Sequence, residues 1–254
     1  MRLTIDSDKQ ILIDETSGKS HSLYSEDAFE LLSDIWVKVG WNQKHIYTFT
    51  WMGRPIIQLP EDMVRAQEVV YTVRPNVIIE TGVAHGGSLV FNASLLKMLG
   101  IDGRVIGIDI DIRQHNRKAI EEHPLFSYLT LIEGSSIDEA TVEQVRSMIK
   151  QDDKVMVFLD SNHSKEHVLA ELRAYGGLVT KGSYIVATDG VMREVADVPR
   201  AGTDWEWDNP ISAVEEFLAE NSDFELSRPD WLFNESNLKR EITHWPSAWL
   251  RRKG

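Results

Sequence analysis

Cysteine is absent from this chain of 254 residues. Its absence excludes disulfide bridges, a cysteine nucleophile and thiolate metal sites, so any metal must be held by oxygen or imidazole ligands. Long apolar runs are lacking as well, because no stretch approaches the roughly 18 residues of a membrane helix. Residues 1–3 do not lead into the apolar region of a signal peptide. We therefore expect a cytoplasmic protein without a membrane partner.

Basic residues are too few to balance the acidic ones. The chain contains 27 lysines and arginines against 40 aspartates and glutamates, which gives a formal net charge of −13. Such an acidic surface repels a phosphate backbone, so nucleic acid is not an expected partner. The one basic cluster, residues 251–253, is expected to be a solvated tail.

Predicted strands and helices alternate along the chain from Val77 onward. Short, continuously apolar segments are typical of buried parallel strands, and each is followed by a segment of helical length. This alternation predicts a doubly wound, mostly parallel α/β sheet of the Rossmann-like kind. The predicted core strands lie at residues 77–80, 105–109, 129–132, 155–159 and 183–187.

We divide the chain into an N-terminal extension or cap over residues 1–60 and a single α/β domain over residues 61–254. The extension contains a helix that Ser25 caps. Its predicted apolar face consists of Phe29, Leu32, Trp36 and Val39. An aromatic stretch over residues 41–53 follows, and it indicates either a patch that docks on the core or a contact between subunits. The second interpretation favours a homo-oligomer.

The strand at residues 77–80 runs into a glycine-rich turn, which is followed by a segment of helical length. Such a turn presents backbone N–H groups and a helix N-terminus to a ligand. A dinucleotide-binding fingerprint needs glycine where Ala84 stands, so the spacing argues against NAD. The pattern E-x-G-x-x-x-G-G instead resembles motif I of the class I S-adenosylmethionine (SAM) methyltransferases. The candidate cofactor-binding residues here are Glu80, Gly82, Gly86 and Ser88. The alternative is an ordinary glycine-rich turn.

Acidic residues recur at the ends of the predicted strands, where ligands of open α/β sheets bind. Asp109 ends the second strand, 27 residues after Gly82, near the interval of roughly 20 at which a ribose-binding acid follows the glycines. Asp111 could substitute for it. Ser135 and Ser136 follow the third strand and are candidates for contacts with adenine, although helix capping explains Ser136 equally well.

Asp160 and Asp189 end adjacent strands. Two carboxylates that face one pocket repel each other unless a proton or a cation lies between them. Hard oxygen ligands favour Mg²⁺, with Ca²⁺ and Mn²⁺ as alternatives. The two side chains could also point apart and bind water. His163 lies three residues after Asp160, at the start of a predicted helix, and so can reach the same pocket.

The block Leu159-Asp160-Ser161-Asn162-His163-Ser164-Lys165-Glu166-His167-Val168 resembles the L-D-S-D-H-S-x-x-H-V block of the cephalosporin hydroxylase family. Residues 56–60 and 78–88 resemble it too, and the likeness extends from about Trp51 to the C-terminus. It implies a SAM- and Mg²⁺-dependent O-methyltransferase whose acceptor is a small-molecule sugar or nucleotide-sugar. In the relatives, the acid that matches Asp160 ligates the metal and the histidine that matches His163 is the general base.

One position departs from this pattern. The family usually has Glu-Asp after the fifth strand, whereas this chain has Thr188-Asp189. A hydroxyl is a weaker Mg²⁺ ligand than a carboxylate, so the third metal ligand stays open. The alternatives are a non-catalytic SAM-binding protein, an NAD-dependent oxidoreductase on the same fold, and an iron oxygenase. The last needs two histidines and a carboxylate on an all-β scaffold, which leaves the strand alternation unexplained.

Overall fold

A computed structural model describes residues 2–254, and its N-terminal part consists of strands, one long helix and a hairpin. The elements of this part are β1 (Leu3–Asp6), β2 (Ile11–Asp14), β3 (Lys19–Ser22), α1 (Glu26–Asn42), a 3₁₀ turn (His45–Thr48), β4 (Phe49–Trp51) and β5 (Arg54–Ile56). The first three strands form an antiparallel sheet, and β4 and β5 form a hairpin. Ser25 caps α1 as predicted, because its hydroxyl accepts the Ala28 N–H at 3.3 Å.

Fourteen α-helices and strands follow, and most of them alternate. They are α2 (Pro60–Val73), β6 (Val77–Thr81), α3 (Gly87–Met98), β7 (Arg104–Asp109), α4 (Gln114–Glu121), β8 (Leu129–Glu133), α5 (Glu139–Ser147), β9 (Val155–Leu159), α6 (Lys165–Gly176), β10 (Tyr184–Ala187), α7 (Val191–Glu194), α8 (Pro210–Glu220), β11 (Phe224–Leu226) and β12 (Trp249–Arg252). A 3₁₀ turn at Phe126–Tyr128 leads into β8.

The central sheet has seven strands in the order β11-β12-β10-β9-β6-β7-β8. The five strands from β6 to β10 run parallel to one another, and β12 is antiparallel to both of its neighbours. This confirms the predicted doubly wound, mostly parallel sheet. The chain winds outward from β6 through β7 to β8 and then returns to β9, so the strand order reverses between β6 and β9. A ligand crevice is expected at the carboxyl ends of these two strands.

Buried residues on the two faces of the sheet belong to separate apolar clusters. Ile78, Val105 and Met156 pack with α2 and α3 on one face, and Ile79, Ile106 and Val157 pack with α6 and α8 on the other. Successive residues of a strand point to opposite faces, and a parallel sheet covered on both sides is apolar throughout. That is why these strands were recognisable as continuous apolar runs.

The β4–β5 hairpin docks on the start of α3. A Cβ atom at Gly87 would overlap the carbonyl group of Pro55, so only glycine allows this contact between the two backbones. The ring of Trp51 packs edge-on against Phe91 at 5.1 Å, and its N–H donates to the hydroxyl of Ser94 at 3.1 Å. The hairpin is thereby fixed against the domain. The division of the chain at residue 60 stays a prediction.

Two expectations about the surface are wrong. Trp36 and Val39 of α1 are about half exposed, and the buried positions of this helix are Ala28, Ser33, Val37 and Gly40. The basic residues near the C-terminus are not a solvated tail, because Arg252 lies in β12 and donates to the carbonyl oxygens of Gly177 and Val179. Within residues 2–254, no helix combines the length and the apolar character that crossing a bilayer requires.

Candidate active site

The glycine-rich turn joins β6 to α3 at the point where the strand order reverses. Gly82 has φ +90° and Gly86 has φ +78°, conformations that favour glycine. A Cβ atom at Gly82 would also overlap the carbonyl oxygen of Asp160, so glycine allows the ends of β6 and β9 to approach each other. The first N–H groups of α3 have no intrahelical acceptor and suit a negatively charged ligand group.

Glu80 lies behind this turn rather than beside a cavity. It is buried, and its carboxylate accepts hydrogen bonds from the hydroxyl of Ser88 and, at 3.0 Å, from the amide of Asn92. Burial raises the pKa of Glu80 to about 8, with a smaller contribution from the charge of Asp160. Glu80 therefore ties the start of α3 to β6 from within the core, and a direct contact with a cofactor stays a prediction.

Two cavities adjoin the turn. The first, here called the carboxylate cavity, is lined by Tyr47, Ile56, Gln58, Asp160, His163 and Asp189. The second, here called the serine cavity, is lined by Asp109, Ile110, Ser135, Ser136, Ile137 and His167. Gly82, Ala84, Asp160 and Ser161 border both. An extended ligand could therefore pass over the glycine turn from one cavity into the other.

Asp160, His163 and Asp189 converge in the carboxylate cavity. One ligand atom from each lies within 4.8 Å of the others, and Nε2 of His163 lies 3.5 Å from Oδ2 of Asp189. Burial and the charge of Asp189 raise the pKa of Asp160 to about 7, against an opposing effect of His163. Nδ1 of His163 is buried without a partner. Nε2 is therefore the ring nitrogen of His163 that lies beside the second carboxylate.

This donor set fits a hard divalent cation. Asp160 and Asp189 offer carboxylate oxygens to one point, and a cation there would relieve the repulsion that raises the pKa of Asp160. The resemblance predicts an acid at position 188 as a further metal ligand, and Thr188 does not take over that role. Its hydroxyl oxygen lies 2.5 Å from Oδ1 of Asp160 and 2.9 Å from the carbonyl oxygen of Leu159, and its single proton is directed to the nearer acceptor, the carboxylate. Thr188 therefore orients a carboxylate rather than completing a ligand set.

Asp109 lies at the end of β7 and borders the serine cavity, as a ribose-binding acid would. Its Oδ2 accepts the N–H groups of Val83 and Ala84 at 2.8 and 3.2 Å, and its Oδ1 accepts the N–H of Asp111 at 3.1 Å. Asp109 thus also shapes the glycine turn. Asp111 is exposed and does not line either cavity, so its suggested role is the least supported.

Ser135 and Ser136 both line the serine cavity, but Ser136 does not cap a helix. Asp138 is the N-cap residue of α5, and the hydroxyl of Ser136 donates to Oε1 of Glu171 at 2.6 Å. The hydroxyl of Ser161 donates to the same oxygen at 2.7 Å. A hydrogen bond with this carboxylate raises the pKa of His167, one turn earlier on α6, while burial opposes the shift.

Sequence reasoning missed four residues of this region: Gln58, Thr188, His167 and Glu171. The sequence showed Thr188 only as a threonine where an acid was expected. No local sequence pattern predicts its hydrogen bond to Asp160. The His167–Glu171 pair did have such a pattern. A histidine and an acid four residues apart face the same side of a helix, and this pair lies seven and eleven residues after Asp160 in the sequence.

Comparison with known sequences identifies relatives that share this site region. Residues 43–253 match the family model described as Rhamnosyl O-methyltransferase/CmcI. The chain is 32% identical over 174 residues to the rhamnosyl O-methyltransferase of Mycobacterium leprae (strain TN), a match that covers 68% of this chain and 72% of that protein. It is 29% identical over 169 residues to the rhamnosyl O-methyltransferase of Mycobacterium tuberculosis (strain ATCC 25618 / H37Rv), covering 66% of this chain and 65% of that protein.

Solved structures share the fold. The apo structure of CmcI superimposes with a TM-score of 0.56 at 23% identity, covering 82% of this chain and 77% of that chain. A structure of CmcI with Mg and SAM gives a TM-score of 0.55 at 22% identity, covering 82% of this chain and 78% of that chain. The similarity confirms the class I methyltransferase fold.

Proposed function

Because the chain belongs to the Rhamnosyl O-methyltransferase/CmcI family, we propose that it transfers a methyl group from SAM to a hydroxyl of a sugar or of a glycosylated small molecule. Family membership confirms the resemblance to the cephalosporin hydroxylase family. It also confirms a SAM-dependent O-methyltransferase, and with it the expected cofactor SAM. Mg²⁺, the second expected cofactor, is bound together with SAM in a solved structure of CmcI. The other interpretations of the sequence are set aside.

The two cavities suggest how this chain binds SAM. The ribose would lie against Asp109 in the serine cavity, where that carboxylate already stands at the cavity wall. The methionine end would reach the first turn of α3, where Gly87 and Ser88 border the carboxylate cavity. Between them, Gly82 borders both cavities, and the ligand would cross the turn there. This placement brings the methyl-bearing sulfur to the border that both cavities share.

Asp160 and Asp189 are the residues that would hold Mg²⁺. When bound, the cation would supply Lewis-acid chemistry that lowers the pKa of a nearby hydroxyl. Thr188 keeps the Asp160 carboxylate oriented through its 2.5 Å hydrogen bond. The observation that carries the proposal is the convergence of Asp160, His163 and Asp189 within 4.8 Å, next to the glycine turn.

His163 is the proposed general base. A sugar hydroxyl is a poor nucleophile until its proton is removed, and imidazole accepts protons near neutral pH. Nε2 faces the cavity beside Asp189 at 3.5 Å, whereas Nδ1 is enclosed by protein. The acceptor proton would therefore pass to Nε2. Asp189 would stabilise the resulting imidazolium through its negative charge.

The acceptor would lie on the side of the carboxylate cavity that the N-terminal hairpin supplies. Tyr47 lines this side and is 57% exposed, and the ammonium group of Lys44 lies over its ring, 5.6 Å from the centroid. An aromatic ring combines an apolar face with a polar hydroxyl, a suitable surface for a sugar ring. Ile56 and Gln58 add one apolar and one amide contact beside it.

A SAM-consumption assay over a panel of rhamnosides, other glycosides and nucleotide-sugars tests the proposal. We expect turnover with at least one sugar acceptor, higher activity with Mg²⁺ than with chelator, and almost none with His163→Ala. Activity confined to non-sugar phenols would contradict the acceptor class. Full activity in excess chelator would contradict the metal, while leaving the sugar acceptor and the base in place.

A further inference from the structure

The serine cavity has a polar floor that the proposed methyl transfer does not use. His167 and Glu171 lie one turn apart on α6, and the Glu171 side chain is fully buried. A buried carboxylate is unfavourable unless it is hydrogen-bonded. Ser136 and Ser161 supply such bonds from the loops that follow β8 and β9, and they connect the carboxylate to the cavity wall.

The hydrogen bonds fix the proton of the His167 ring. Both serine hydroxyls donate to Oε1 of Glu171, so their protons are committed. Nε2 of His167 lies 3.1 Å from the Ser136 oxygen, 3.2 Å from the Ser161 oxygen and 3.3 Å from Oε1 of Glu171. All three oxygens are then acceptors for Nε2. The hydrogen bond with Glu171 raises the pKa of His167, so the ring is neutral only above that raised pKa. There it carries its proton on Nε2 and presents a lone pair at Nδ1.

Nδ1 of His167 is directed to a ligand rather than to protein. Among residues 2–254, no group forms a hydrogen bond with it, and it is not one of the buried nitrogen atoms that lack a partner. The ring lines the serine cavity. Two exposed apolar side chains line the same cavity, Ile110 at 75% and Ile137 at 42% exposure. Such side chains suit the faces of a flat heteroaromatic ring.

We propose that His167 is a specificity-determining residue for the methyl donor: Nδ1 accepts a hydrogen bond from the 6-amino group of adenine, and Glu171, Ser136 and Ser161 hold the ring in the required tautomer. The inference rests on the proposed placement of SAM, with its ribose at Asp109. A lone pair at Nδ1 pairs with an amino group and not with the carbonyl oxygen of a 6-oxopurine. The pocket therefore selects adenine over hypoxanthine.

Calorimetry with two ligands tests the proposal: S-adenosylhomocysteine and S-inosylhomocysteine, which differ at the 6-position of the purine. Wild type should bind the adenosyl compound about 3- to 10-fold more tightly, as expected for one net hydrogen bond. His167→Gln should lose this preference, because its amide reaches the Nε2 position and keeps the contact with Glu171. His167→Asn places its amide oxygen near the Nδ1 position and should retain part of the preference.

The controls separate this inference from the placement on which it rests. Asp109→Ala should weaken both ligands equally, because the ribose is common to both. If Asp109→Ala changes neither affinity, the placement of SAM is wrong. If Asp109→Ala weakens both ligands while His167→Gln keeps the preference for adenine, the role of His167 is wrong. An unchanged unfolding midpoint for His167→Gln would show that a lost preference does not come from unfolding.

Discussion

The hydroxyl of Thr188, directly after β10, donates a 2.5 Å hydrogen bond to the carboxylate of Asp160, directly after β9. The carbonyl oxygen of Leu159 lies 2.9 Å from the same hydroxyl oxygen and is the other acceptor within its reach. Where the resemblance to the cephalosporin hydroxylase family predicts an acid, this chain therefore has a donor that orients an acid. The two neighbouring strand ends are joined by this contact, and the carboxylate points into the cavity.

Thr188→Val should raise the Mg²⁺ concentration needed for half-maximal activity by roughly 5- to 20-fold, because a hydrogen bond to a charged group is lost. Thr188→Ser keeps the hydroxyl and should behave like wild type. The measurement is a Mg²⁺ titration of initial rates at saturating SAM. Equal titration curves for the Val and Ser variants would show that the hydroxyl does not orient Asp160.

His163→Ala should slow the chemical step by roughly 10²- to 10⁴-fold and leave SAM affinity nearly unchanged. His163→Gln should not restore the rate, since an amide can hydrogen-bond the acceptor but cannot take its proton. Single-turnover rates of wild type and of both variants at saturating SAM measure this. A loss of less than about tenfold in both variants would move the base role to another group.

Gly82→Ala should abolish SAM binding and destabilise the fold, because the added Cβ would overlap the carbonyl oxygen of Asp160. Gly100→Ala is a matched control. Gly100 also has a positive φ, +64°, but nothing lies within 4 Å of its Cβ position. Gly100→Ala should lower the free energy of unfolding by only about 1–2 kcal/mol, through backbone strain, and should leave SAM affinity unchanged. Chemical unfolding and calorimetry measure both quantities, and similar losses in both variants would argue against the close approach at Gly82.

Glu80→Gln should remove a pH dependence of stability. The folded-state pKa of about 8 lies above the ordinary value of 4.5, so the folded protein holds a proton that the unfolded chain releases. The stability of wild type should therefore fall as pH rises from about 5 to 8, and Glu80→Gln should be flatter and more stable near pH 8. Oδ1 of Asn92 is buried without a hydrogen-bond partner. When the side-chain amide of Asn92 turns by 180°, this oxygen can accept a hydrogen bond from the amide that Glu80→Gln introduces.

Unfolding midpoints at several pH values for wild type and Glu80→Gln provide the measurement. Glu235→Gln, a change at an exposed glutamate, is the control and should leave the wild-type slope unchanged. A slope that survives in Glu80→Gln would assign the titration to another buried group.

Tyr47→Ala should raise the KM for the sugar acceptor by roughly 2- to 10-fold, the range expected for one aromatic contact, and leave SAM affinity unchanged. Tyr47→Phe keeps the aromatic ring, so its KM for the sugar acceptor should stay close to that of wild type. The control is Tyr71→Ala, which should leave the acceptor KM unchanged, because Tyr71 is 55% exposed on α2 and lines neither cavity. A change in SAM affinity instead of acceptor KM would place Tyr47 at the cofactor.

The core of the fold could be predicted because its signals are local. Buried parallel strands are continuous apolar runs, so Val77–Thr81 and Val155–Leu159 were identifiable within a residue or so. The strand-end acids followed from topology, since carboxyl ends of parallel strands meet at one edge. Asp160 and Asp189 were therefore placed together without knowledge of any contact.

The remainder depends on contacts that no local pattern shows. Helix α1 buries Val37 against Val191 and Val195, and Trp41 packs against the same cluster, whereas Trp36 and Val39 are about half exposed. Arg252 is held by backbone carbonyl groups, which every sequence offers equally. The expected homo-oligomer stays a prediction.

The carboxylate cavity is lined by Ile56, Gly82, Asp160 and Asp189, whose positions are spread over more than half of the chain. Contacts between such distant positions form late in folding, because long loops must close before the contacts stabilise them. During synthesis, the glycine turn leaves the ribosome well before the residues that face it. A nascent chain that ends before Asp189 therefore carries a complete glycine turn without the wall opposite it. The ability to methylate should arise in one late step, when β10 joins the sheet.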